Sequence, residues 1–217
     1  MNRVWNVCLV ALALAAGLVP GTSAPATASP ISYRVEVTTS PLIGHASAPF
    51  ALDFQLIDGG GSAANAVTIN GFTFGGGNPT GASVTFGGAI GDIGSAVTLT
   101  DAGGVFFNEL FQTFAPGNWL TFDVSMTDNG EAGPTPDAFA FFILDKDLFS
   151  IPTNGLGDAL LLVDISGHLQ QSDVRTFTSR EFGVTVTARP IPEPVTLALL
   201  ASGLAGLGLR RVTGRRD

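Results

Sequence analysis

The chain has 217 residues, 13% of them charged and 45% apolar, with a formal net charge of −8. That composition excludes generic disorder, and once the terminal segments are set aside the length suits one well-buried core rather than two domains. Residues 29–189 hold 16 Asp and Glu against 5 Lys and Arg, a net −11 that repels nucleic acid and anionic lipid.

The first element in chain order is an export signal. Arg3 supplies a positive start, residues 7–19 are an unbroken apolar run, and Pro20-Gly21 leads into the small residues 22–28. This layout predicts a secretory signal helix over 1–28, passed through the Sec machinery and cut by signal peptidase after Ala28, or next best after Ala26. An uncleaved anchor is the alternative, and the run is short for one. Cys8, the single cysteine, lies inside the run. The mature chain then has no disulfide, thiol nucleophile or thiolate metal site.

Period-two alternation dominates residues 29–189. It predicts strands over 33–37, 50–56, 120–126 and 182–187, with shorter ones near 66–74, 82–87, 96–100, 105–114, 160–165 and 174–178. Ala138 to Leu144 is apolar on both faces and reads as a central, doubly covered strand. Asp58-Gly59-Gly60-Gly61, Asn78-Pro79-Thr80-Gly81 and Asp128-Asn129-Gly130 are turn signals expected to close hairpins. Residues 59–104 hold 14 of the 28 glycines, so this stretch is expected to have short strands and long loops. The pattern predicts an all-β fold, an antiparallel β-sandwich of jelly-roll-like type, with a closed barrel as the alternative.

Few residues of this body suggest chemistry. Asp145 and Asp147 sit two apart at a strand end, so both carboxylates point one way and are candidate Ca²⁺ ligands, with Asp158 and Asp164 as possible neighbours. No other cofactor is expected. His45 and His168 are the only histidines; Asp173 is near His168, but no nucleophile elbow or zinc spacing accompanies them. Glu109 and Asp123 form an imaginable glycosidase pair. All 16 Phe lie in the body beside one Trp and one Tyr, Trp119 and Tyr33, which argues against an extended sugar-stacking platform. Trp119 follows Pro116-Gly117-Asn118 at a strand start and is expected to cap the core there, with a loop-edge contact residue as the alternative.

Residues 190–217 are the second address. Pro192-Glu193-Pro194 precedes fifteen uncharged residues, 195–209, then Arg210 and Arg211, with Arg215 and Arg216 beyond. Prolines stop one element, a transmembrane-like helix starts, and arginines hold its end at the cytoplasmic side. Fifteen helical residues span about 22 Å, short of the roughly 30 Å hydrocarbon core. Ala198, Ser202 and Gly206 form a small-residue stripe for helix packing.

In this order, these residues resemble the PEP-CTERM sorting signal of Gram-negative bacteria that make exopolysaccharide. The resemblance covers Pro192-Glu193-Pro194, residues 199–208 and Arg210-Arg211. It implies transient anchoring in the inner membrane, recognition by an exosortase near the PEP motif, and delivery to the cell surface or matrix. An ordinary tail anchor is the alternative. The body also resembles an uncharacterised group of PEP-CTERM proteins, through Leu52-Asp53-Phe54-Gln55, the Gly-rich centre and Phe142-Ile143-Leu144-Asp145-Lys146-Asp147. That group carries no activity to transfer. The leading expectation is a non-enzymatic structural or adhesive matrix protein. A carbohydrate- or Ca²⁺-binding module, with exopolysaccharide as partner, is the second reading, and a matrix hydrolase the third.

Overall fold

A computed structural model of the chain describes residues 30–60, 63–129, 135–167, 169–170 and 173–192. The expected signal helix with Ala26 and Ala28, the small residues Ala198, Ser202 and Gly206, and the candidate sorting residues Glu193, Pro194, Arg210 and Arg211 lie outside them. Pro192 is the last described residue and is exposed.

Alternating apolar residues place one side of each strand in a shared core. Among the described residues thirteen strands follow in chain order: β1 (Ile31–Thr38), β2 (Phe50–Ile57), β3 (Ala66–Thr73), β4 (Asn78–Pro79), β5 (Val84–Phe86), β6 (Ile90–Gly91), β7 (Ala96–Thr100), β8 (Phe107–Ala115), β9 (Trp119–Met126), β10 (Asp137–Leu144), β11 (Leu161–Ile165), β12 (Val174–Thr176) and β13 (Val186–Pro190). They form two antiparallel sheets. Sheet A runs β13-β1-β9-β3-β7-β6; sheet B runs β12-β11-β10-β2-β8-β4, with β5 also on β8. Short 3₁₀ turns at Ser40–Leu42 and Leu156–Asp158 are the helical elements among the described residues.

The sheets meet through phenylalanine. Phe54 of β2 and Phe141 of β10 stack at 5.2 Å, and Phe122 of β9 meets both edge-on at 5.5 and 5.1 Å. All three are fully buried. Edge-to-face rings place the positive rim of one ring on the negative face of the next. Losing one such ring from a core typically costs about 3–5 kcal/mol. Val35, Val37, Leu52, Leu110, Leu120 and Val163 extend the same core on both sides.

The all-β expectation holds, and β10 is central, between β2 and β11. Three details differ from the sequence reading. The segments after β2 and after β9 carry the chain from one sheet to the other instead of closing hairpins, because turn residues specify a reversal and not the strand that receives it. Asn78-Pro79 is itself a short strand against Phe114 and Ala115. The last strand starts only at Val186, because Ser179 Oγ accepts from the amides of Phe182 and Val184 and folds that stretch into a turn.

The Gly-rich stretch is tied down by side chains projecting inward from β8. Asn108 Oδ1 accepts from Gly88 N at 2.7 Å, and Gln112 bridges Ile93 N and Gly81 O. These amides satisfy loop backbone groups that burial would otherwise leave unpaired. Gly71 takes φ of +65° where the β3–β9 register shifts between Asn70 and Thr73, a bulge suited to glycine.

Both ends of the body lie on sheet A. Tyr33 pairs with Pro190, and Ile191 N donates to Ser32 O, so the segments before β1 and after β13 leave from one end of the sandwich.

Candidate functional site

In β9, Leu120, Phe122, Val124 and Met126 point inward, so Trp119 must point outward, and it is 47% exposed. This corrects the expectation that it caps the core. Its backbone is fixed from behind. Thr39, fully buried, donates through Oγ1 to Gly117 O at 2.8 Å, and Asn118 N donates to Gly75 O at 2.9 Å. A Cβ on Gly75 would fall 2.6 Å from the Trp119 carbonyl oxygen and 2.9 Å from ring Cδ2, so the bare glycine leaves the indole its place.

The indole ends a groove of about 440 Å³ across β13, β1 and β9. Register builds its floor: Thr38 pairs with Trp119, and Glu36 lies between Thr121 on one side and Thr187 on the other. Thr185 and Thr38 hydroxyls bond each other at 3.0 Å. Glu36 and Arg189 bring one charge of each sign, and neither has an ion-pair partner among the described residues. Next to the groove, Arg34 grips Asp123 with two bonds, at 2.6 and 2.7 Å. The site therefore offers one flat ring, four threonine hydroxyls, an acceptor carboxylate and a fork of donors. Such a surface can stack a ring and exchange several hydrogen bonds with it.

Glu109 and Asp123 point outward from different sheets, so they share no cleft. Glu109 has a different carboxyl neighbour, Asp53. Gln55 Nε2 donates to Asp53 Oδ2 at 2.7 Å and to Glu109 Oε1 at 3.3 Å. Asp53 is only 1% exposed although its strand points it outward, because its cross-strand partners are Phe111 and Phe142. Its Oδ1 has no hydrogen-bond partner. Burial, then repulsion from Glu109, pushes its carboxyl up to about 8, against the bond from Gln55.

Asp145 and Asp147 sit on one turn, each with one carboxylate oxygen engaged. Asp145 Oδ1 accepts from the amides of Asp147 and Phe149, and Asp147 Oδ2 pairs with Lys146. Asp158 takes the amide of Thr153, and Asp164 pairs with Arg175 at 2.6 Å. His45 packs at a tilt against Phe182, ring centroids 4.7 Å apart, and accepts from Ser47 N. His168 lies outside the described residues. Asp173 accepts from Gln170 N.

Comparison with protein-family models, curated proteins and solved structures returns no match.

Proposed function

We propose that this chain is an exported, non-enzymatic protein of the cell surface or extracellular matrix that adheres to polysaccharide through the groove around Trp119. The exposed, pre-positioned indole facing a row of hydroxyls carries this reading. An aromatic face stacks on the C–H face of a sugar, while Thr, Glu36 and Arg189 match its hydroxyls. Hydrolysis of a glycosidic bond in most glycosidases uses two carboxyl groups flanking it. The groove presents Glu36 alone, which supports binding without cleavage.

The route belongs to the same proposal. A signal peptide would send the chain through the Sec machinery, and the PEP-CTERM-like tail would hold it in the inner membrane until an exosortase processes it. The placement of Pro192 supports this: it follows β13 by two residues and is exposed. Jelly-roll-like wiring is part of it too, supported by chain-distant neighbours such as β1 beside β13 and β2 beside β10.

Cleavage after Ala28 would leave Trp119 as the single tryptophan, so its emission reports the groove directly. Titrating the mature protein with exopolysaccharide from the producing cells should shift that emission saturably, and Trp119→Phe should weaken retardation in affinity electrophoresis. An unchanged spectrum and unretarded migration would sink the adhesive reading. Intact mass from cells with and without the exosortase tests the route. A product ending near Pro192 that disappears in the mutant is expected; a tail intact through Asp217 in both strains would mean a plain anchor.

A further inference from the structure

At the end of the sandwich from which both terminal segments leave, three carboxyl groups converge. Asp58 follows β2, Asp101 follows β7 and Asp137 opens β10, and one oxygen from each lies within 4.8 Å of the others. Asp101 and Asp137 are 5% and 6% exposed. None of the three is in an ion pair among the described residues. Asn65 braces two of them: its amide donates to Asp101 Oδ1 at 2.7 Å and its Nδ2 to Asp137 Oδ2 at 2.6 Å. Its own Oδ1 is fixed by Thr127 Oγ1 and Asn129 N. Gly59 N donates to Asp137 Oδ1 and Gly60 N to Asp58 Oδ1.

A second observation sets this cluster apart from an ordinary acidic surface. Asp101 Oδ2 is buried with no hydrogen-bond partner. Burial, joined by the approach of Asp137 and then Asp58, pushes the Asp101 carboxyl up to about 6, although Asn65 N–H holds it down. A buried carboxylate oxygen without a partner, in a side chain grouped with two more carboxylates, is relieved by a proton or by a cation that joins them.

We propose that Asp58, Asp101 and Asp137 bind a hard divalent cation of the Ca²⁺ class. An all-oxygen donor set selects hard cations. Ca–O distances of about 2.3–2.6 Å place ligands up to roughly 5 Å apart across the ion, which the cluster's spacing fits. Three carboxylates leave positions for water, so the affinity belongs in the range of about 10⁻⁴–10⁻³ M typical of extracellular modules. The ion ties β7 of sheet A to β2 and β10 of sheet B. This site is independent of the groove, whose tryptophan lies at the other end of β9.

The test uses the full chain in mild detergent, stripped with chelator and then melted with added CaCl₂. At about 10 mM Ca²⁺ the midpoint should rise by about 3–10 °C and saturate. Asp101→Asn keeps an acceptor for Asn65 and removes repulsion, so its chelated form should melt no lower than wild type while its Ca²⁺ shift is lost. Asp58→Asn, at the half-buried member, should also lose the shift, whereas Asp145→Asn should retain it. An unchanged midpoint, a shift equal to that of NaCl at matched ionic strength, or a shift surviving in both Asp101→Asn and Asp58→Asn would overturn the site.

Discussion

Asp123 and Asp53 occupy equivalent places: each is an outward-facing aspartate in the middle of a long strand, one on each sheet. On sheet A, Asp123 lies opposite Arg34 and is clasped by it in water's reach. On sheet B, Asp53 lies between Phe111 and Phe142 and is sealed off. The same contrast covers the faces around them. Sheet A presents threonines, Glu36 and Arg189; sheet B presents Ala51, Phe107, Phe111, Ala140 and Phe142, with Val84 and Phe86 exposed. Alternation decides which way a side chain points. Cross-strand neighbours decide what it meets there, and so whether its charge is cheap or costly.

The largest effect that would break this contrast is in pH dependence. Asp53 unfolded ionises near its ordinary value of 3.8 but folded only near 8, so between those values the folded state holds the extra proton. Stability should fall as pH rises through this window, by up to about 1.4 kcal/mol per pH unit. Asp101 contributes to the fall only up to about pH 6, so comparison with Asp53→Asn isolates Asp53 at pH 6–8. Urea unfolding across that range should show the slope in wild type and its loss in Asp53→Asn; a variant retaining the full slope would refute the sealed carboxyl.

Next come paired truncations on opposite faces. Phe111→Ala should cost about 2 kcal/mol, hydrate Asp53 and flatten the same slope, while leaving polysaccharide binding intact. Trp119→Ala should do the reverse, lowering affinity at least tenfold with little change in the melting midpoint. Smaller again, Glu36→Gln and Arg189→Gln should each weaken binding a few-fold, read by affinity electrophoresis. Smallest, Arg34→Ala should leave the urea midpoint nearly unchanged despite its two short bonds, because the pair is solvated.

Much of this architecture was legible in the residues. The alternations at Tyr33–Val37, Phe50–Leu56 and Leu120–Met126 gave strands and inward faces, and the last of these already oriented Trp119 outward. The core-capping expectation ignored that parity. Register was not legible. Glu109 meets Asp53 across 56 positions of sequence, and Asp58, Asp101 and Asp137 converge from three separate strand ends. Nothing local marks such encounters, since they depend on which strands pair and where the chain changes sheets. Asp145 and Asp147 attract attention by their closeness in sequence, and Asp145 Oδ1 accepts from its own turn amides.

The pairing of β1 with β13 has a mechanical consequence. Five register pairs join these antiparallel strands, and β13 runs straight into the tail. A body held by that tail and tugged through a ligand lying over β13, β1 and β9 receives its load along the strand axis. Ladder hydrogen bonds lie across that axis. They would then resist together in shear instead of peeling apart one by one, so the seam that closes sheet A would also be the seam that bears tension.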